Sequence, residues 1–159
     1  MNKLIPFQMI GLPIEKFDSL LSLSDEALQA LGAKRMVADK KPGYPCRASL
    51  IDAEPGETVL LLPFSHHDVA SSYRASGPIF VRADAQTARP AINEVPAMLR
   101  SRLLSIRAYD EEAMMVGSDV VNGSELEEHI SRFFDDPSVK YLHLHNARPG
   151  CFNCRVERA

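Results

Sequence analysis

No apolar run in the sequence is long enough to suggest a membrane span. The longest, Val59 to Phe64, has the length of a single strand, whereas a spanning helix needs about 20 apolar residues. Leu4 to Ile10 is broken by Pro6 and Gln8, too short and interrupted for the apolar centre of a signal peptide. Cysteine is scarce. The three thiols, Cys46, Cys151 and Cys154, cannot all pair within one chain, and reduced thiols in a cytoplasm are the simplest expectation. Basic residues are scattered and the formal net charge is -3, so no surface for tracking nucleic-acid phosphates is expected. Glycine-rich phosphate loops, nucleophile-elbow serines and dinucleotide fingerprints are all missing, which leaves nucleotide chemistry without support.

What is present is the composition of a folded protein. The chain has 159 residues, 45% hydrophobic and 25% charged, which suits one domain over 1–159 with a core that needs no staples. Eleven prolines spread along it imply frequent loops and short elements. Leu4 to Ile10 reads as a strand and Ile14 to Leu21 as a short helix. Ser24 caps a second helix with Leu28 and Leu31 on its apolar face and Gly32 as its stop. Short strands are expected at Lys34 to Ala38, Arg47 to Leu50, Thr58 to Leu62 and Ile79 to Arg82, and a helical turn from Pro96 to Arg100.

Leu104, Ile106 and Ala108 alternate with Ser105, Arg107 and Tyr109, the period of a half-buried strand. That strand forms a hairpin with Ala113 to Val121. Ser124 and Glu127 read as a capping box for a helix whose stripe is Leu126, Ile130, Phe133 and Phe134. Val139 to His145 and Cys151 to Glu157 close the chain as two more strands. Strands outnumber helices and hairpins outnumber crossovers. The expected fold is therefore α+β: a largely antiparallel, curved sheet, a few packed helices and a C-terminal β-hairpin.

The final hairpin concentrates the chemistry. If it turns around Asn146 to Gly150, His145 faces Cys151, His143 faces Asn153 and Tyr141 faces Arg155. The opposite face then pairs Leu144 with Phe152 and Leu142 with Cys154. Cys154 becomes a core residue. Cys151 lies beside His145, on the face of Arg155, where a thiolate is stabilised by positive charge. In this reading Cys151 is nucleophile or redox group and His145 base or charge partner, while His143 and Arg155 complete a site for a small anion. His143, His145, Cys151 and Cys154 also offer four zinc ligands. Zinc is disfavoured, because Phe152-Asn153 lacks the glycine that eases a knuckle. A structural reading stands beside both, with half-exposed strand histidines and a chain-reversing Arg148-Pro149-Gly150.

Elsewhere, Tyr73, Arg74 and Ser76 could form an anion-binding turn, and Arg47 beside Cys46 could lend charge to either site. His66-His67-Asp68 reads as a solvated polar loop. Tyr73-Arg-Ala-Ser-Gly-Pro-Ile-Phe-Val-Arg82, Arg107-Ala-Tyr-Asp110 and His145-Asn-Ala-Arg-Pro-Gly-Cys151 together resemble, nearly end to end, a small bacterial family of unknown function, domain of unknown function 1203. The resemblance implies a bacterial origin and a single domain. It brings no activity, cofactor or site residues. Enzyme, binding module and interaction protein all remain open.

Overall fold

In the computed structural model, which describes residues 3–159, the alternation noted above buries one face of β5 (Leu103–Tyr109). The larger sheet is built outward from that strand. On one side lies β6 (Met115–Asn122). On the other, β7 (Tyr141–Asn146), β8 (Phe152–Arg158) and β1 (Phe7–Ile10) follow, giving the order β1-β8-β7-β5-β6. A second sheet has the order β2-β3-β4 and comprises β2 (Lys34–Val37), β3 (Thr58–His67) and β4 (Ala75–Arg82). Every strand pairing is antiparallel, and the fold is α+β with a C-terminal hairpin.

The helices are α1 (Asp18–Leu21), α2 (Asp25–Ala30), α3 (Ala97–Arg100) and α4 (Leu126–Phe134). Helix α4 places Leu126, Ile130 and Phe134, four residues apart on one stripe, in the same core as Ile106, Leu142, Leu144 and Val156 of the larger sheet. A second core joins Leu28 of α2 and Phe17 to Leu60, Leu62, Ile79 and Val81 of the smaller sheet. Among the described residues no helix is long and apolar enough to cross a membrane.

Three local expectations are corrected. Arg47 to Leu50 is a turn, not a strand: Leu50 N–H returns to the Cys46 carbonyl at 3.0 Å, and Leu50 has φ 54°. Leu31 is 54% exposed, because helix α2 ends at Ala30 and Gly32, with φ 75°, turns the chain away. The Ser24 cap does form, accepting from Ala27 N–H at 3.1 Å, but the Ser124 capping box does not. Gly123–Glu125 is a 3-10 turn, Glu125 precedes α4 without a side-chain cap, and the Glu127 carboxylate binds Arg100 instead. Backbone crowding explains the turn. A Cβ at Gly123 would sit 1.7 Å from the Leu99 carbonyl oxygen, so only glycine lets the chain pass α3 here.

Gly123→Ala should accordingly lower stability by about 1–3 kcal/mol or more. Gly77→Ala, where nothing lies within 4 Å of the added carbon, should stay within about 0.5 kcal/mol of the parent. Urea midpoints of the two variants check the contrast, and equal midpoints would refute it.

Candidate functional site

The final hairpin is paired Leu142↔Val156, His143↔Arg155 and Leu144↔Cys154, then slips at a bulge to His145↔Phe152. The register expected from sequence, with His143 opposite Asn153 and His145 opposite Cys151, is therefore displaced by two residues at His143 and by one at His145. The even displacement on the β7–β8 stem keeps side chains on their faces, so His143 and Arg155 still share one face and Cys154 joins the core, while the odd one beyond the bulge puts Phe152, not Cys151, opposite His145. The cause is the extra residue that the bulge leaves in β8, together with a tight turn. Gly150, at φ 85°, donates to the Asn146 carbonyl at 2.8 Å, and Asn146 N–H donates to the Cys151 carbonyl at 2.8 Å. The bulge also carries Phe152 onto the histidine face, where it stacks on His66 with ring centroids 5.3 Å apart.

Cys151 lies half-buried at the end of this turn, and its sulfur receives two donors. Arg47 Nη2 and the Asn146 side-chain amide each approach it to 3.2 Å. Asn146 is held in turn by Asn153 Nδ2, which donates to its Oδ1 at 2.5 Å. Arg47 is 1% exposed. Its Nε donates to the Phe152 carbonyl at 2.7 Å and its Nη1 to the Pro45 carbonyl at 2.5 Å. None of the ion pairs among the described residues involves it. Burial pushes its pKa below the ordinary arginine value, and Cys151 is the first group opposing that shift. The guanidinium reaches the hairpin because its turn bridges the sheets: Arg47 N–H donates to the Phe80 carbonyl of β4 at 3.0 Å.

Beside this pair, imidazoles fill the space where the smaller sheet meets the larger one. His66 and His67 are not a solvated loop: they end β3, and His67 is buried. Adjacent strand residues normally point to opposite faces. The irregularity between Phe64 and His67 allows both rings to reach β7, with His66 5.0 Å from His145 and His67 5.0 Å from His143. His67 donates from Nδ1 to the Tyr73 carbonyl at 2.8 Å, so its Nε2 accepts from the Tyr141 hydroxyl at 2.6 Å. His145 donates from Nδ1 to the Gly150 carbonyl at 2.9 Å, tying the turn down. His145 Nε2, His143 Nδ1 and His66 Nδ1 are buried without a partner.

The remaining candidates are dispersed. Arg155 lies over the Tyr141 ring, 4.0 Å from its centroid, and bonds Glu157 at 2.7 Å. Arg74 pairs with Asp68 at 3.0 Å on the exposed surface. Ser76 is exposed on β4, and Tyr73 contributes its carbonyl to His67. The four proposed zinc ligands are divided by the sheet: burial drives the Cys154 thiol up to about 12 on the core face, away from the histidines. Among the described residues no three His, Cys, Asp or Glu side chains form a set able to hold a metal ion. Sequence reasoning missed the roles of Asn146 and the two β3 histidines. The apolar run leading into His66 was the only available hint that they continue a strand.

A model of the family described as "Protein of unknown function (DUF1203)" matches residues 43–158. The chain belongs to that family. The family segment takes in Arg47, the β3 histidines and the whole final hairpin, so both halves of the Arg47–Cys151 contact lie within it. No curated protein and no solved structure matches the chain.

The imidazole layer makes stability depend on pH. Burial is the main cause lowering His66 and His145 to about 4 and His143 to about 2, with neighbouring histidines and arginines adding to it. Once unfolded, the same groups bind protons below about pH 6.5. The unfolded chain therefore takes up more protons than the native one in that interval, and acid favours unfolding. The thermal midpoint should be level above about pH 7 and fall from about pH 6.5 down to pH 4. A midpoint that holds steady to pH 5 would contradict the neutral layer.

Proposed function

We propose that the protein performs thiol-dependent chemistry at Cys151, with Arg47 as the fixed counter-charge of the thiolate. One observation carries the reading: the sulfur faces two N–H donors, Arg47 Nη2 and Asn146 Nδ2. A neutral thiol is a weak acceptor, whereas a thiolate accepts strongly. A buried cation also needs a compensating charge, and Arg47, in its otherwise carbonyl-lined surroundings, finds that charge most directly on Cys151. Partial exposure beside a positive charge is the setting of reactive cysteines.

In this reading the sulfur attacks an electrophilic carbon or sulfur, a new bond to Sγ forms, and the leaving group departs with the electron pair of the broken bond. Arg47 and Asn146 aim their N–H groups at the sulfur and stabilise negative charge on it. His145, bound through Nδ1 to the Gly150 carbonyl, is a positioning residue that fixes the turn bearing Cys151. Cys46 and Cys154, both buried, are bystanders.

Iodoacetamide labelling at pH 7, read cysteine by cysteine by mass spectrometry, tests this. Native Cys151 should label about tenfold faster than the same residue in urea, while Cys46 and Cys154 are protected. Asn146→Asp exchanges a donor for a negative charge and should slow native labelling by about tenfold or more, the scale of one unit charge near the sulfur even at the dielectric of water. Native labelling no faster than in urea, with circular dichroism confirming a folded protein, would end the proposal.

A further inference from the structure

We infer that the cleft under the β7–β8 turn gathers small electrophiles carrying a carboxylate or phosphate beside Cys151; the inference rests on the thiol reading above. The cleft has a volume of about 510 Å³ and opens between Asn146–Pro149, the chain after α3 and the start of the 3-10 turn before α4. Three arginines line it, Arg100, Arg102 and Arg148, and no acidic residue does. Two of the three are already compensated from outside the cleft. Arg102 makes a two-pronged pair with the buried Asp52 at 2.8 and 2.7 Å, and Arg100 makes one with Glu127. Arg148 is exposed and takes part in none of the ion pairs among the described residues. It is the charge left over for a ligand.

Asn146 connects cleft and nucleophile. It lines the cleft, and its side-chain amide touches the Cys151 sulfur at 3.2 Å. Cys151 does not itself line the cleft, so Arg148, with the Ser124 hydroxyl as an additional donor, gathers anions on the other side of the Asn146 side chain from Sγ. The anion is not expected on the opposite, histidine-bearing face. Arg155 is occupied there by Glu157 and Tyr141, and His143 and His145 are packed against Phe152.

Two alkylating reagents that differ only in charge separate the two proposals. With iodoacetate and with iodoacetamide alike, the Sγ–carbon bond forms, the carbon–iodine bond breaks and iodide leaves with the electron pair. At pH 7 and low salt, the ratio of iodoacetate to iodoacetamide labelling at Cys151 should be about fivefold or more above its value in the urea-unfolded chain, because a cleft of one sign concentrates the opposite charge. Sodium chloride at high concentration should erase the gain, and inorganic phosphate should erase it at lower concentration if the cleft takes phosphate as well as carboxylate. Arg148→Ala should return the ratio to the unfolded value, whereas Arg132→Ala, on the exposed side of α4, should leave it raised. Fast iodoacetamide labelling with an ordinary ratio would overturn this inference and leave the reactive thiol standing. A Cys151 slow towards both reagents would overturn both.

Discussion

A guanidinium that is 1% exposed has to find partners for its donors inside the protein, and much of this structure follows from how Arg47 finds them. Its three hydrogen bonds run to its own turn at Pro45, to the backbone of β8 at Phe152 and to the Cys151 sulfur. The last two leave a polar atom stranded if the turn and the hairpin separate, and a stranded buried polar atom costs about 1–3 kcal/mol. The arginine thus couples the loop that crosses between the sheets to the last hairpin of the chain. The same contact gives Cys151 a chemical environment different from that of the other two thiols.

The second constraint is the layer of rings around His143. Burial and neighbouring positive charge keep His66, His143 and His145 unprotonated at neutral pH, and His143 packs as an aromatic group against Phe152, Tyr109 and Tyr141. A neutral ring tolerates the contact between sheets, whereas a charged one would meet the positive charge of Arg107 and Arg155.

Much of the scaffold was legible because it follows local rules. The alternation at Leu104, Ile106 and Ala108 identified the central strand, Ser24 capped its helix, and the four-residue spacing of Leu126, Ile130 and Phe134 identified the core face of α4. Where a local signal met a tertiary demand, the tertiary demand won. The Ser124–Glu127 box was sound as a sequence pattern, yet the carbonyl of Leu99 pressed against Gly123 and Arg100 took the glutamate. His66-His67-Asp68 resembled a loop because two adjacent polar residues break the alternation of a strand, and only the bulge after Phe64 makes that arrangement possible.

From sequence alone came the α+β class, the final hairpin and the assignment of Cys154 to the core, since side-chain alternation is a local property and the slip of register at Leu144↔Cys154 is even. Sequence also singled out the segment that holds Cys151. It placed His145 and Arg155 beside the sulfur, where the structure has Arg47 and Asn146. Arg47 lies 104 positions away in the chain, and no periodicity links residues so distant. Its approach depends on the packing of two sheets, and the cleft under the turn depends on three separate segments meeting. Contacts of that kind come from the folded backbone, whose shape is set by the sum of all the burial, and they are written in no single stretch of residues.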